Sequence, residues 1–492
     1  MAKSFYITTT LPYVNAPLHM GHALEFVRAD TIARYKKLVG YDVFFNTGTD
    51  EHGVKIYNKT KEAGQDPQVF VDAGFETFRG QLKMFGVSDD VHFIRTTDKN
   101  HEAGAQEFWR KVAENGYIYK DKYEAKYCVG CESEKTDSDL DENGECPEHP
   151  GRPLETISEE NYFFKYSAFT DKLTEFYDKN PNFVVPEFRF NEMKNFVKSG
   201  LQDFSISRLK SKMPWGIPVP DDPEHVMYVW FDALTNYINT LDWINNKEQF
   251  EKYWTRGNPT QYCGKDNTRF QGAMWQAMLM AGGFPNSHQI VVNGFVTADG
   301  GVKMSKTLGN VVDPRGIVEE YSTDALRYFL LREISSFEDS PFTIERFKDA
   351  YNSGLANGLG NLVSRVMTMA VNYGVIWKDY LGENEIAENF HGYPGVWDSA
   401  YNSFDLKKVM DNLWENFDES VGALNVYIQN TEPYKKIKTD EAQAKKDIAF
   451  VLSHLLRFAH QLEPLLPETA KKIQRLVIEN KKPKEPLFLR KD

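Results

Sequence analysis

The stretch Leu11-Pro12-Tyr13-Val14-Asn15-Ala16-Pro17-Leu18-His19-Met20-Gly21-His22 constrains this chain more than any other. It joins a β-rich run, Phe5 to Thr10, to a long helical pattern ending at Val39 before Gly40. Met20, Leu24, Val27, Ile32 and Leu38 mark the apolar stripe expected of that helix, and Gly40 suits its C-terminal stop. A second strand, Tyr41 to Thr47, follows at once. Strand, helix and parallel strand make a right-handed crossover unit, which binds ligands at the carboxyl edge of its strands. His19, Gly21 and His22 fall at that edge, on the first turn of the helix. Free backbone N–H groups and the positive dipole end favour phosphate there. Spaced i and i+3, the two imidazoles share a face and can each donate to a phosphate oxygen. Gly21 between them leaves no side chain to block a flat base or ribose. The same four residues also read as two surface histidines at a helix end.

A second motif lies far along the chain. Lys303-Met304-Ser305-Lys306-Thr307 follows the apolar run His288 to Thr297 and the turn Ala298-Asp299-Gly300-Gly301. Two lysines on a glycine-hinged loop are mobile cations, suited to a triphosphate whose charge grows as pyrophosphate leaves. The bland alternative is a solvated basic loop. In this order, the two motifs together resemble the class I aminoacyl-tRNA synthetases.

The whole chain permits that reading. Its 492 residues can hold two to four domains, and 41% hydrophobic with 26% charged residues is ordinary for a globular protein. A net charge of −13 excludes a generally basic nucleic-acid coat, so RNA contact requires local basic surfaces such as the lysine-rich C-terminal end. The first residues lead directly into a strand without a signal-peptide core, and no apolar run is long enough to span a bilayer. Four cysteines, three of them clustered, fit a reducing compartment, and a cytoplasmic location is expected.

In chain order, Asp50 follows the second strand at the ligand edge, where a carboxylate can hold a substrate ammonium group or merely cap the next helix. Residues 54–116 read as helices, broken at Gly64-Gln65-Asp66-Pro67 and at Gly86-Val87-Ser88-Asp89-Asp90. An irregular, acidic region opens at Tyr117. Within it, Cys128 and Cys131 are followed by Cys146 and His149, two short hooks that can close a tetrahedron round one structural zinc ion. Reduced, metal-free cysteines are the alternative, and His149 is the weakest of the four as a ligand. Cys263 reads as a small packed residue. Val226 to Tyr237 reads as a buried strand turning into a helix, Gln261 to Asp266 as a strand end, and Arg269 to Met280 as the following helix. These rebuild the second half of a nucleotide-binding sheet.

Beyond Asp324 strand signals vanish, and three apolar helical faces define an α-helical bundle: Leu355 to Val366, Leu406 to Phe417 and Ile448 to Leu462. No internal repeat or low-complexity tract interrupts it. The expected class is α/β: a Rossmann-type parallel-sheet catalytic domain split by a zinc-knuckle insertion and followed by an α-helical bundle. The expected boundaries are a first catalytic half at 1–116, an insertion at 117–225 and a second half with the lysine loop at 226–320. A linking stem-contact region at 321–350 and the bundle at 351–492 complete the chain.

Over essentially its full length the chain resembles the methionyl-tRNA synthetases. The matching segments are Leu11 to Asn15, the histidine motif, Gly48 to Gly53, Ser205 to Arg208, Trp215 to Pro220, Tyr228 to Ala233, Gly264 to Asp266 and Lys303 to Asn310. The resemblance implies activation of L-methionine by Mg-ATP to methionyl-adenylate, then transfer to the 2′-hydroxyl of the terminal adenosine of tRNA(Met). It implies that His19 and His22 hold ATP phosphates, with Gly21 and Arg208 lining the ATP site. Lys306, helped by Lys303, would stabilise the leaving pyrophosphate. Asp50 would meet the amino group of methionine. Leu11, Tyr13, Trp230, Ala233 and Tyr237 match the family's pocket positions, where an aromatic wall suits a thioether. Two residues depart from the family pattern: Asn267 stands where isoleucine is common, and Gln271 where a histidine follows phenylalanine. In the bundle, Asn361 and Arg365 match the anticodon-reading helix, and Tyr434 takes the place of a tryptophan that stacks on an anticodon base. A zinc knuckle in the insertion is also the family's habit. The space between Tyr117 and Trp230 is too small for an editing domain, and a monomer is the simplest expectation. Two other readings stay open on the residues: a cysteinyl enzyme, which would place zinc against its pocket, and a tRNA-binding protein without chemistry.

Overall fold

The computed structural model describes residues 3–135, 139–302, 312–380, 395–416 and 420–491. The chain forms two compact units. The first comprises Met1–Leu18, Gly40–Gln81 and Asp89–Val292; the second comprises His19–Val39, Leu82–Ser88 and Asn293–Asp492.

The first unit is organised on a parallel sheet. Strands β1 (Ser4–Thr8), β2 (Asp42–Thr49) and β3 (His92–Arg95) run side by side, with Ser4 to Thr8 paired in register with Asp42 to Asn46. On the other side of β1 lies the strand Thr260–Gly264, then Gln289–Asn293 and Val184–Val185. The strand order therefore reverses at β1, and the crevice for ligands in an open parallel sheet opens at such a point, outside the carboxyl ends. β3 was not expected; four residues between helical patterns are too few to show a two-residue period. The core beneath the sheet is aromatic: Phe108, Trp109, Tyr177, Phe183, Phe190, Phe231 and Trp275 are all buried in one cluster.

The region expected to be irregular after Tyr117 is an antiparallel sheet. β4 (Ile118–Cys128), β5 (Ser133–Lys135) and β6 (Glu155–Phe164) form it together with Phe204–Ser205, and β4 pairs with β6 from Ile118↔Phe164 to Tyr127↔Glu155. Charged residues on this ribbon hid its strand period. The helix expected over Arg269 to Met280 begins instead as a wide turn, Phe270–Met274, before regular helix at Trp275–Gly282. The Tyr177 hydroxyl donates to the carbonyl of Gly272 at 2.7 Å, competing for a carbonyl the helical ladder would use.

In the second unit, α1 (Met20–Leu38) is buried on more than its apolar stripe: Arg28 and Asp30 are inside, whereas Leu38 at the far end is exposed. Buried charges need partners. Arg28 donates to Asn293 Oδ1 and to the carbonyls of Ile334, Ser335 and Ser336, and Asp30 pairs with Arg327 at 2.9 Å. A two-residue strand, Ser340–Pro341, pairs with Val296–Thr297 in a region expected to lack strands. The other elements described in this unit are helices, with Asn361–Tyr373, Glu441–Leu462 and Pro467–Glu479 the principal ones. No described helix is long and apolar enough to cross a membrane.

Candidate active site and metal centre

His19 is the N-cap of α1, in extended conformation, and its Nδ1 accepts the N–H of Gly21 at 3.1 Å. His22 Nδ1 reaches back to accept the N–H of His19 at 3.2 Å. The rings stack with centroids 3.9 Å apart. Because both Nδ1 atoms accept from backbone, each neutral ring carries its proton on Nε2, the donor a phosphate oxygen needs. One expected feature changes: the Gly21 N–H is taken up by the His19 side chain. A Cβ at Gly21 would lie 3.0 Å from His19 Cε1, so glycine here makes room for the capping ring. Lys303 and Lys306 lie outside the described residues.

In the first unit, Tyr13 and Asp50 form a backbone bridge that ties the loop after β1 to the end of β2. Asp50 is buried, and its Oδ1 accepts no hydrogen bond among the described residues. Burial first, then the Asp232 and Glu132 carboxylates, push the Asp50 carboxyl well above the usual range. Asp232 itself is clamped between His52 Nδ1 and His101 Nε2, each at 2.6 Å. Burial works against ionising Asp232, but the two imidazoles outweigh it and hold its pKa below the ordinary value. Sequence reasoning missed this triad. Asp232 and His52 sit in segments it quoted, but His101 lies in the first turn of the helix Lys99–Glu114 with no local signal.

The other residues expected of a methionine pocket belong to the same unit. Trp230 stacks on Phe270 at 3.8 Å, and its indole N–H donates to nothing among the described residues. Gln271 Nε2 donates to the Tyr237 hydroxyl at 2.8 Å, while Gln271 Oε1 accepts nothing among the described residues. Ala233 and Tyr237 are buried, Leu11 and Asn267 half-buried. Tyr13 keeps its hydroxyl protonated through burial and the adjacent carboxylates of Glu132 and Asp50. Arg208 lies over the rings of Tyr127 and Tyr228, at 5.0 and 5.2 Å, and borders a cavity of about 160 Å³ that Gly53 and Val229 also line. Its Nη1 is committed to Ser205 Oγ and the Ser207 carbonyl.

The knuckle gathers all four expected ligands. Cys128 Sγ, Cys131 Sγ, Cys146 Sγ and His149 Nδ1 lie within 4.8 Å of one another. Cys131 and Cys146 are 3.5 Å apart, and His149 Nδ1 lies 3.3 Å from Cys131 and 3.8 Å from Cys128. A tetrahedral zinc with ordinary bond lengths demands edges of about 3.8 Å between sulfurs and about 3.5 Å from sulfur to nitrogen. The donor set therefore fits such an ion, and no ligand position is left over for chemistry. Gly130 makes the fit: a Cβ there would lie 2.4 Å from the His149 ring.

In the second unit, Asn361 opens its helix exposed, and Arg365 on the next turn donates to Asn425 Oδ1 at 3.1 Å. Tyr434 leaves 41% of its surface in water, on a short turn started by Pro433.

An open parallel sheet with a histidine-capped helix after its first strand and a helical C-terminal region defines a class I aminoacyl-tRNA synthetase. The family described as tRNA synthetases class I (M) matches residues 5–152 and 150–367, and the anticodon binding domain of methionyl tRNA ligase matches 401–486. The chain belongs to the methionyl-tRNA synthetase family. It is 43% identical to the methionine–tRNA ligase of Caldanaerobacter subterraneus subsp. tengcongensis, over 96% of this chain and 74% of that one. With the Thermotoga maritima enzyme it shares 39%, over 97% of this chain and 76% of the relative. The structure of Mycobacterium tuberculosis methionyl-tRNA synthetase in complex with methionyl-adenylate superposes with a TM-score of 0.88 at 34% identity, covering 96% of this chain and 94% of the other.

Proposed function

We infer that this chain is a methionine–tRNA ligase that works by alignment and charge stabilisation, with no side-chain nucleophile. The methionine carboxylate attacks the α-phosphate of ATP, and the bond to pyrophosphate breaks. The 2′-hydroxyl of the terminal adenosine of tRNA(Met) then takes the acyl group, and AMP leaves. Both nucleophiles belong to the substrates, so the protein's contribution is positioning and electrostatics.

One observation carries the assignment of the amino-acid site. Asp50 is a buried carboxylate with no ion pair among the described residues and an unpartnered oxygen. Such a group is costly unless a cation meets it. The α-ammonium of methionine is that cation in this reading, and the thioether lies against Tyr13, Trp230, Ala233 and Tyr237, with Leu11, Asn267 and Gln271 completing the pocket. His19 and His22 donate to ATP phosphates through Nε2. Gly21 and Arg208 line the nucleotide site, and Lys303 and Lys306 take the charge of the departing pyrophosphate. Magnesium bound with ATP supplies further neutralisation of the phosphates. Zinc in the Cys128, Cys131, Cys146 and His149 knuckle is structural. Asn361, Arg365 and Tyr434 read the anticodon. A monomer in the cytoplasm belongs to the same reading.

The test is ATP–pyrophosphate exchange with each amino acid in turn. Methionine alone should stimulate it strongly. Lys306→Ala should lose most of that stimulation while still binding tRNA; unchanged exchange in this variant would remove Lys306 from its role.

A further inference from the structure

Helix α2 (Val54–Ala63) begins immediately after the Asp50-Glu51-His52 loop, and its N-cap is Gly53, which has no side chain to offer the first-turn N–H groups. The missing acceptor comes from far away in sequence. Glu132 Oε1 accepts the Lys55 N–H at 2.7 Å, so a carboxylate caps α2 from the knuckle, at the helix end where negative charge is favoured. Gly53 is the only residue type that suits its place: φ is +97°, and a Cβ would lie 2.9 Å from Glu132 Oε1. Glu132 in turn is fixed by its own backbone. It is fully buried, adopts φ of 51°, and its carbonyl accepts the Tyr228 hydroxyl at 2.6 Å. It directly follows Cys131, whose N–H donates to Cys128 Sγ at 3.4 Å. A continuous path therefore runs from the four metal-ligand atoms, through Cys131 and Glu132, to the start of α2 and the Asp50 loop.

We propose that Glu132 is a positioning residue that couples metal occupancy of the knuckle to methionine binding, by capping α2 and so holding the Asp50–Gly53 loop in place. This rests on the reading that Asp50 meets the substrate ammonium. Without the metal, Cys131 is free to shift, Glu132 shifts with it, and the α2 cap is lost. ATP, whose phosphates are held at the α1 terminus by His19 and His22, should feel the change less, through Arg208 over the Tyr228 ring.

The experiment uses the full chain, zinc-loaded and zinc-stripped, with methionine titrated by intrinsic tryptophan fluorescence and KM values for methionine and ATP from exchange. Stripping zinc from the wild type should raise the methionine Kd about tenfold. Glu132→Ala should do the same while retaining one zinc per chain, and stripping it should add less than about twofold, as two perturbations of one path are non-additive. Glu132→Gln, which keeps an oxygen acceptor at the same reach, should recover most of the loss. The ATP KM should rise by far less than the methionine Kd throughout, since uniform damage to the fold would move both substrates equally. Fully multiplicative effects of zinc removal and Glu132→Ala, or a methionine Kd unaffected by either, would overturn the proposal. If Glu132→Ala does not fold, Tyr228→Phe decides. It removes only the hydroxyl that holds the Glu132 carbonyl and should weaken methionine binding with zinc retained; wild-type affinity in it would overturn the coupling. A wild type that shows no methionine response at all would instead overturn the assignment of Asp50 to methionine.

Discussion

The amide nitrogen of Gln271 donates to the Tyr237 hydroxyl at 2.8 Å, and both side chains are buried. Tyr237 is also held from behind, because the Tyr6 hydroxyl donates to its carbonyl at 2.8 Å. The glutamine that departs from the family's histidine thus still supplies a donor to the aromatic wall. Its Oε1 is buried and accepts no hydrogen bond among the described residues.

Gln271→Ala should raise the methionine KM about tenfold, since a buried hydroxyl losing its donor costs roughly 1–3 kcal/mol. Gln271→His, whose ring N–H can replace the amide donor, should stay within about threefold of the wild type. Exchange kinetics over a range of methionine concentrations measure both. Equal damage from alanine and histidine would mean that volume, and not the donor, is what Gln271 contributes.

Asp50 gives a prediction in pH. Burial and the neighbouring Asp232 and Glu132 carboxylates raise its pKa in the folded protein. The native state therefore binds this proton more tightly than the unfolded chain does. Stability is lost as pH rises from the ordinary carboxylate value of about 4 through the folded one. Asp50→Asn removes that loss, so thermal unfolding of the ligand-free variant should exceed the wild type by more at pH 8 than at pH 5. Methionine at 100 times its Kd should stabilise the wild type by about 2.7 kcal/mol and leave the variant unmoved. Scanning calorimetry at the two pH values, with and without methionine, checks both signs.

The same residues show how much could be read beforehand. The helix after the first strand and the four-residue knuckle were legible because each sits in a short segment whose spacing is set by local geometry: i and i+3 on a helix turn, or two residues between paired cysteines. The pocket aromatics came only from the family resemblance, since no spacing distinguishes them from core residues. The Asp232 clamp was not, since His52 and His101 reach it from separate elements and neither has a sequence period that points there. Glu132 was invisible for a related reason, as its partner Lys55 lies 77 positions away and contributes only backbone. Arg28 and Asp30 lie outside the apolar stripe that marks this helix in the sequence. They are buried because Arg327 and the carbonyls of 334–336 meet them from 297 to 308 positions further along the chain. Polar residues inside a fold announce themselves only through partners, and those partners are long-range.

The knuckle predicts a phenotype for a residue that binds no metal. Gly130→Ala would put a methyl 2.4 Å from the His149 ring and force the imidazole away, leaving three thiolates. Zinc affinity should fall by at least about 10–100-fold, the usual cost of disturbing the support of a ligand. Competition with a chromophoric chelator reads this directly. Since metal binding is folding free energy for such a site, the variant should also unfold at lower temperature, with excess zinc restoring part of the difference.

Tyr434 offers the last test, on the tRNA side. Its ring is 41% exposed, its hydroxyl is 3.4 Å from Glu432 Oε1, and the Lys435 ammonium lies 5.9 Å from the ring centre. The ring is too exposed to be a core residue, and a flat π-face beside a cation suits a splayed base. Stacking of one base on an aromatic side chain is worth about 1–3 kcal/mol, so Tyr434→Ala should lower kcat/KM for tRNA charging by about 5–150-fold, chiefly through KM. Tyr434→Phe and Tyr434→Trp keep the face and should retain most of the activity, which separates stacking from the hydroxyl contact to Glu432. Aminoacylation measured against tRNA concentration decides it: a phenylalanine variant as impaired as alanine would assign the effect to the hydroxyl, and an alanine variant with unaltered KM would remove Tyr434 from the anticodon site.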